Sequence, residues 1–390
     1  MEFKEYLMED ALAAIIDYRG KTPQKSESGI PTLSAKSVKN NYINYAECYY
    51  ISEAEYKRFM VRGFPKKGDI LLTTEAPMGM VARLDRDDIA IAQRLLTLRG
   101  KEGVLDNDYL LYFLQSPYGQ GLLKAKETGT TVTGIKQAEF RRVVIKLPNI
   151  AVQKKVASIL NAIDSKISCN TKINDNLLEQ MQALYKSWFV DCLPFGGIKP
   201  ESWTQTDIYS LANIIYGAPF SSKQFNTDGN GKPIIRIRDL KDQQFATYTT
   251  EVHPKGYLLQ PGDIVVGMDG EFRPYIWGND EAWLNQRVCV FENKRPNGKA
   301  FLFFTIKPLL YAIEQTQVAT TVIHIGKKDF DAFELTLPDA TTLDNFDALT
   351  SPMIMQIVSN SFENKRLAAM RDALLPRVMS GEIDVSDIQL

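Results

Sequence analysis

The sequence predicts an α+β protein that is built as a tandem duplication, with two mixed α/β domains separated by two long helices. The first helix is predicted at residues 152–189, where apolar side chains recur every three or four positions without Pro or Gly. Residues 342–379 repeat part of this pattern. The segments before each helix also correspond to one another in the same order, which indicates an internal repeat.

The two helical stretches match at fixed positions. At about 1.5 Å per residue the first would be roughly 57 Å long, which exceeds what a single small domain needs. Helical sequences resemble each other easily, so the match acquires weight only from the segments before it. Four residues match at a separation of 190: Asn170, Asn174, Leu177 and Leu184 correspond to Asn360, Asn364, Leu367 and Leu374.

The first 150 residues mix strand and helix signals. Strands are predicted within residues 30–39, 65–79 and 89–98, and a helix over residues 108–126 is interrupted at Pro117. A Thr/Gly loop and the strand RRVVIKLP then lead into the first long helix. This mixture indicates an α+β or α/β domain.

After a Gly/Pro linker, CLPFGGIKPESW, the pattern starts again. The strand KKGDILL corresponds to QPGDIVV, so Asp69 aligns with Asp263, and Gln93-Arg94 aligns with Gln286-Arg287. Seven segments correspond in order, and their separation drifts from 202 to 190 residues because the loops differ in length. Chance does not produce so many ordered matches, so we infer a duplication.

Composition limits the function classes. The 390 residues carry 46 basic and 47 acidic side chains, and no run of about 18 apolar residues predicts a membrane span. The N-terminal residues do not look like a signal peptide. The 4 cysteines are scattered, which is typical of reduced intracellular thiols, and only 2 histidines occur, which disfavours a histidine-based metal centre. We therefore expect no bound metal and no cofactor in this chain.

Each long helix has one apolar seam and needs a partner for it. If the two helices pair as an antiparallel coiled coil, the halves are related by a pseudo-two-fold axis. Asn170 lies near the middle of the first helix, and we expect it to meet Asn360 and fix the register, as a buried Asn does in coiled coils. The alternative is that both face solvent.

A rod that holds two diverged domains a fixed distance apart suits duplex DNA, whose major-groove faces recur every ~34 Å. Because the loops of the two domains differ, we expect two unrelated half-sites separated by a spacer, rather than a palindrome.

Several segments then carry a family resemblance. They are the G-D-I strands at 68–70 and 262–264, an A-x-x-Q segment ending at Gln93, a T-T-V loop, and L-P followed by AVQKKVASILNAID. Together these resemble the specificity (S) subunit of type I restriction–modification systems, over almost the whole chain. The second copy departs from the pattern, because DATTLDNFDAL lacks the Gln and the basic pair.

The resemblance implies two target recognition domains, residues 1–150 and 192–340, two conserved helices, 151–191 and 341–380, and a tail, 381–390. Each domain would read one half of a bipartite site in double-stranded DNA. The helices would dock two methyltransferase (M) subunits, which bind S-adenosylmethionine and methylate adenine. Two restriction (R) subunits would add cleavage that depends on ATP and Mg. The chain itself would be a non-catalytic, cytoplasmic protein.

The absence of catalytic motifs agrees with the expectation of a non-catalytic chain. Neither an N-P-P-[FY] or D-P-P-[FY] methyltransferase motif nor a G-x-x-x-x-G-K-[ST] loop occurs, and Gly20-Lys21-Thr22 is interpreted as a turn. Pro338-Asp339 with Glu363-x-Lys365 has the letters of a nuclease motif. Glu363 lies in a predicted long helix, however, so we interpret that match as chance.

Candidate DNA contacts are polar residues of corresponding loops, because Arg can bind guanine, Gln can bind adenine, and either can hold phosphates. The alternative for each is an ordinary solvated loop residue, and Gln93 and Gln286 could instead satisfy backbone groups. In the first domain the candidates are Ser34, Lys36, Thr73, Thr74, Glu75, Gln93, Arg94, Thr130, Thr131 and Lys136. In the second they are Arg236, Arg238, Asp269, Arg273, Gln286, Arg287, Thr320, Thr321 and Lys327. Candidate helix-pairing residues are Val156, Ile163, Asn170, Leu177, Leu184, Asn360, Leu367 and Leu374.

Two other hypotheses stay open at this stage. A two-headed, non-catalytic scaffold for another ligand would show no salt-sensitive affinity for DNA and no loss on mutating Arg94 or Arg287. A DNA-modifying enzyme acting alone would bind S-adenosylmethionine by itself.

Overall fold

The structure is a computed structural model that describes residues 2–129, 133–316 and 324–388. The chain divides into two compact units. The first unit comprises Met1–Ser165 together with Leu367–Leu390, and the second comprises Lys166–Arg366. Each unit therefore holds one mixed domain and a part of each long helix.

The first unit begins with strands and ends in the long helix. Its strands are β1 (Lys4–Leu7), β2 (Leu12–Asp17), β3 (Ile30–Leu33), β4 (Val38–Lys39), β5 (Tyr42–Ile43), β6 (Tyr49–Ile51), β7 (Ile70–Thr73), β8 (Val81–Arg83), β9 (Ala90–Ile91), β10 (Leu95–Gly100) and β11 (Val144–Leu147). Its helices are α1 (Met8–Ala11), α2 (Glu53–Phe59), α3 (Asn107–Gln115), α4 (Pro117–Lys124) and α5 (Gln137–Arg141), followed by α6 (Ile150–Tyr185), which continues into the second unit and ends in a π-helical turn at Lys186–Val190.

The second unit repeats this order. Its strands are β12 (Thr204–Asp207), β13 (Ala212–Tyr216), β14 (Phe225–Asn226), β15 (Lys232–Ile235), β16 (Tyr248–Thr249), β17 (Leu258–Leu259), β18 (Ile264–Gly267), β19 (Pro274–Ile276), β20 (Ala282–Leu284), β21 (Val288–Asn293) and β22 (Glu334–Leu337). Its helices are α7 (Lys299–Thr316), α8 (Lys327–Asp331) and α9 (Ala340–Met379), and the last of these continues into the first unit.

Sheet topology confirms the tandem duplication. The order β2-β10-β7-β8 in the first unit is matched by β13-β21-β18-β19 in the second. Each unit also contains a parallel strand pair, with Leu33 beside Ile91 in the first and Ile235 beside Leu284 in the second. These are the positions that the sequence alignment makes equivalent, so the two copies share register as well as order.

The G-D-I strands lie at the centre of each domain because both of their faces are covered. Ile70 and Leu72 of β7 point into one core, which includes α3, whereas Leu71 points into a second core formed with β3 and β9. Alternate side chains of a strand face opposite sides, so burial on both sides demands a continuous apolar run. In the second unit Ile264 and Val265 divide between two cores in the same way.

The aspartate of each G-D-I strand has different partners in the two domains. Asp69 is buried and accepts from Arg99 Nε and Nη2, both at 2.7 Å, and from the backbone N–H of Lys66 at 2.8 Å. Asp263 accepts from Tyr257 Oη at 2.9 Å and from the backbone of Gln260 at 2.8 Å. The residue equivalent to Arg99 is an acid, Glu292. Burial raises the pKa of Asp263, and the charge of Glu292 adds to this rise.

These two aspartates make a matched stability test. Asp69→Asn turns an amide N–H toward the guanidinium, which has no acceptor, so we expect a loss of about 2–4 kcal/mol in the free energy of unfolding. Asp263→Asn is expected to change it by less than about 1 kcal/mol, because Tyr257 Oη can accept as well as donate. Thermal unfolding of the two full-length variants distinguishes them.

The pH dependence follows from the same comparison. Because the pKa of Asp263 is higher in the folded than in the unfolded chain, its contribution to stability falls as the pH rises from the unfolded value through the raised folded value. Asp263→Asn should remove this contribution, so the free energy of unfolding should depend less on pH in the acidic range. Equal losses of stability in the Asp69 and Asp263 variants would contradict the account.

The long helices pair antiparallel within each unit. In the first unit Val156 and Leu160 of α6 share a core with Leu375 and Val378 of α9. Arg371 Nη1 also donates to Asp164 Oδ1 at 2.8 Å. In the second unit Met181 shares a core with residues near the start of α9. The antiparallel pairing of two long helices is therefore confirmed.

The middle of this pairing is polar. Asn170 and Asn360, which we expected to meet, are both buried, and each donates to a different asparagine of the other helix. Asn170 Nδ2 donates to Asn364 Oδ1 at 2.9 Å, and Asn360 Nδ2 donates to Asn174 Oδ1 at 2.8 Å. The antiparallel register aligns each asparagine with the one that lies a helical turn away from the expected partner. We call these four residues the asparagine cluster.

No helix of the described residues is both long and apolar enough to cross a membrane.

Candidate nucleic-acid interface

A carboxylate held by two arginines lies directly after β7. Glu75 pairs with Arg19, from the turn after β2, and with Arg94 Nε at 3.3 Å, just before β10. The Glu75 side chain is 17% exposed, whereas those of Arg19 and Arg94 are 43% and 53% exposed. The arginines thus keep donors free for a ligand, and the carboxylate orients them.

Backbone hydrogen bonds fix this arrangement. The N–H of Thr74 donates to the carbonyl of Arg94 at 3.0 Å, and the N–H of Ile135 donates to the carbonyl of Thr74 at 3.0 Å. Arg94 has φ of 65°, in the left-handed region that non-glycine residues rarely occupy. Such strain is typical of functional positions.

The second domain repeats the site at equivalent positions. Asp269 lies 3.7 Å from Arg287 Nε, and His324 Nδ1 lies 2.6 Å from Asp269 Oδ1. The backbone bonds recur as well, from Met268 to Arg287 at 2.9 Å and from Ile325 to Met268 at 3.0 Å. We call each copy a carboxylate–arginine site. The two sites differ in their third member, which is Arg19 in one domain and His324 in the other.

This chemistry suits the edges of base pairs. Arginine donates two hydrogen bonds to guanine O6 and N7, and a carboxylate accepts from cytosine N4. A carboxylate near phosphates is repelled by them, so its place in an interface is either with a base edge or as the anchor of an arginine. Both roles need the rigid frame that the backbone bonds supply.

Some predicted contacts of the first domain are used internally. Thr73 is buried, and its Oγ1 donates to the carbonyl of Pro77 at 2.6 Å and accepts from Met80 N–H at 2.9 Å. Thr74 is also buried, and Gln93 Nε2 donates to Thr22 Oγ1.

Other candidates of the first domain lie nearer to solvent. Lys36 and Lys136 are exposed, and Ser34 is half-buried. The backbone N–H of Ser34 donates to Ser37 Oγ at 3.3 Å.

Two arginines of the second domain are engaged within it. Arg236 donates to Thr247 and lies 5.9 Å from the ring centre of Phe225. Arg273 Nη2 donates to Glu314 Oε1 at 3.0 Å, and this contact lowers the pKa of Glu314.

Three further candidates of the second domain are exposed. Lys327 Nζ donates to both carboxylate oxygens of Asp331 at 2.8 Å, which lowers the pKa of that acid. Arg238, 3.6 Å from Asp239, and Gln286 point to the surface.

Four predicted threonines lie outside the described residues: Thr130, Thr131, Thr320 and Thr321. Among the described residues that follow them, Gly134 and His324 form backbone bridges with Glu75 and Asp269.

The candidate helix-pairing residues are buried to different degrees. Val156 and Ile163 are buried in the first unit, where Leu367 and Leu374 are half-buried. In the second unit Leu177 and Leu184 are partly buried against the core that contains Met181.

Sequence reasoning missed Arg19 and His324. Neither residue is among the candidate DNA contacts that the sequence suggests. The position of His324 in the repeat could have identified it. His324 follows the second T-T-V segment, which aligns with the T-T-V segment before Gly134.

No group of three or more His, Cys, Asp or Glu side chains is placed to hold a metal ion in the part of the chain that the structure describes.

Comparison with known proteins gives consistent matches. The model of the family described as type I restriction modification DNA specificity domain matches residues 14–179 and again residues 200–357. The specificity subunit of the type I restriction enzyme MjaIX from Methanocaldococcus jannaschii is 25% identical over 393 aligned positions, covering 92% of this chain and 88% of the relative.

A second relative and one solved structure extend the comparison. The EcoBI specificity subunit from Escherichia coli is 31% identical over 192 positions, covering 48% of this chain and 40% of that protein. The crystal structure of the S subunit of a type I restriction–modification system from M. genitalium superposes with a TM-score of 0.57 at 15% identity, covering 97% of this chain and 96% of that one. At that identity the superposition shows the fold alone.

Proposed function

The chain belongs to the family of type I restriction–modification DNA specificity subunits, whose catalytic activities reside in other subunits, and we propose that it reads a bipartite, asymmetric target in double-stranded DNA. Each domain reads one half-site. Residues 1–150 read the first and residues 192–340 read the second.

The observation that carries this proposal is the duplicated carboxylate–arginine site. Glu75 with Arg94 and Asp269 with Arg287 occupy the same backbone positions in two domains of the same topology. Because the site occurs once in each domain, it supports two separate DNA-recognition surfaces. The different third members, and the different lengths of the acids, support two different half-sites, because direct readout depends on which donor or acceptor meets each base edge.

The paired helices are proposed to dock the partner subunits. Several apolar side chains on them are exposed, including Ile173 on α6 and Leu349, Met355 and Met370 on α9. Covering such side chains with a partner protein removes apolar surface from water, so they are available to an interface. We propose two methyltransferase subunits that use S-adenosylmethionine, and two restriction subunits that use ATP and Mg, in a complex that acts in the cytoplasm. The scaffold for an unrelated ligand is not favoured by the family match.

Methyl transfer by the reconstituted parts tests this function. With labelled S-adenosylmethionine and genomic DNA that lacks the modification, the chain alone and the methyltransferase subunit alone are expected to transfer nothing above background. Together they should label adenine. Label transfer by the chain alone, or by the methyltransferase subunit equally well without it, would refute the proposal.

A further inference from the structure

One strongly basic segment of the first domain has no counterpart in the second. Residues 57–67, KRFMVRGFPKK, contain five Lys and Arg and no acid, and all five are exposed. We call this segment the basic loop. The equivalent connection before the second G-D-I strand, residues 250–261, contains one Lys and one Glu. The difference in charge is therefore local and specific to one domain.

Most of these charges have no acidic partner. Arg58 pairs with Glu55, with Nε and Oε2 2.7 Å apart. The side chains of Lys57, Arg62, Lys66 and Lys67 form no ion pair with any carboxylate among the residues that the structure describes. Asp87 approaches the segment, but it accepts from the backbone N–H of Lys67. Four cations thus remain available to an anionic partner.

The tip of the basic loop is rigid. The Tyr18 hydroxyl is buried, donates to the carbonyl of Gly63 at 3.0 Å and accepts from the N–H of Arg62 at 2.8 Å. The ring of Tyr18 also stacks on Phe59 with centroids 4.9 Å apart. Gly63 has φ of 131°, and a Cβ there would lie 3.1 Å from Ile16, so the turn requires glycine.

This rigid tip presents apolar side chains to solvent. Val61 is 64% exposed and Phe64 is 53% exposed. A loop that is fixed by buried hydrogen bonds loses little conformational entropy on binding, so its exposed apolar groups are ready for a contact.

The basic loop adjoins the carboxylate–arginine site of the same domain. Arg62 Nη1 donates to the carbonyls of Asp17 at 3.1 Å and Arg19 at 3.2 Å, and Arg19 is the partner of Glu75. Arg62 therefore lies beside the reading residues, and the four other cations lie on the same segment of the chain. Cations can bind phosphates, and the arginines and the carboxylate of the site can bind base edges. Together these groups suit a nucleic acid.

We propose that the basic loop is a sequence-independent contact between the first domain and the phosphates of duplex DNA. Lys57, Lys66 and Lys67 bind phosphates, and Phe64 packs on the adjoining sugar or base edge. The inference rests on the proposed function, and it adds that the first domain supplies most of the salt-dependent affinity. Neutralising a phosphate with a lysine releases counterions, so each such contact steepens the dependence of affinity on salt.

Salt titration of the chain assembled with its methyltransferase subunits tests this proposal. The probe is a labelled duplex of arbitrary sequence, measured between about 50 and 200 mM salt. The triple variant K57A/K66A/K67A is expected to reduce the slope of log Kd against log salt by about two to three units. A control triple, K4A/K101A/K146A, removes the same charge from exposed lysines elsewhere in the first unit and should leave the slope unchanged.

A second variant separates the apolar contact from the charges. Phe64→Ala should weaken DNA binding about three- to tenfold with the slope unchanged, because no phosphate contact is lost. Val144→Ala, an exposed apolar residue of β11, serves as its control.

The outcomes separate this inference from the function on which it rests. Equal slopes for the two triple variants would overturn the inference while leaving the proposed function intact. Loss of methyltransferase binding in K57A/K66A/K67A with an unchanged DNA slope would make the basic loop a protein contact and would also overturn it. A wild-type complex with no salt-dependent DNA affinity would overturn both.

Discussion

Replacing Arg94 by alanine is expected to remove discrimination in one half of the methylated motif and to leave the other half intact. Arg94 is half-exposed and held by Glu75, so it keeps donors free for the proposed contact with a base. Losing a bidentate arginine–base contact costs about 1–3 kcal/mol, or roughly 5- to 150-fold in preference for the correct base. The folded state should be little affected, because alanine meets the same left-handed backbone that arginine already occupies.

The second domain supplies the matched experiment. Arg287→Ala should relax the other half-site by a similar factor. Arg86→Ala removes an exposed arginine that pairs with Asp88, and it should change neither half-site. Sequencing of adenine methylation for the three variants gives the readout. If Arg94→Ala lowered methylation equally at every position of the motif, or altered both half-sites, the division of labour between the domains would be wrong.

The asparagine cluster carries the second large effect. Asn174→Leu leaves Asn360 Nδ2, which now donates to Asn174 Oδ1, buried without an acceptor. An unsatisfied buried donor costs about 1–3 kcal/mol, and we expect the free energy of unfolding to fall by that amount. Denaturant unfolding of the full chain measures it.

The double variant N174L/N360L is expected to recover most of this loss, because both polar partners are replaced by apolar ones. Buried asparagines specify register in paired helices at a cost in stability. The double variant should therefore be stable yet methylate at more than one gap length. Two additive losses, or a single unchanged gap in the double variant, would contradict a register role for these asparagines.

Much of the fold follows from sequence because it depends on local pattern and repetition. The central strands at Ile70 and Ile264 have continuous apolar runs bounded by turns, and the duplication makes every such prediction twice. The helix over residues 108–126 breaks where Pro117 requires it, since Ser116 caps a new helix there. These features need no knowledge of distant contacts.

Side-chain partners were less predictable because they come from distant parts of the chain. Glu75 and Arg94 were each candidates, yet their pairing with each other and with Arg19 depends on three loops that meet at one end of a sheet. Arg273 and Lys327 stay predicted DNA contacts, but their ion pairs with Glu314 and Asp331 were not predicted from the sequence. The register of the asparagine cluster depends on the packing of whole helices, which a count of residues does not determine.

The central claim is that two domains of one chain read two half-sites at a fixed separation. The most direct test is single-molecule sequencing of adenine methylation in DNA from a host that expresses this chain with its methyltransferase subunit. The account predicts one motif made of two short, unrelated blocks around a gap of constant length and unspecified sequence. A single continuous motif, a palindrome, or the same motif after the second domain has been exchanged would contradict it.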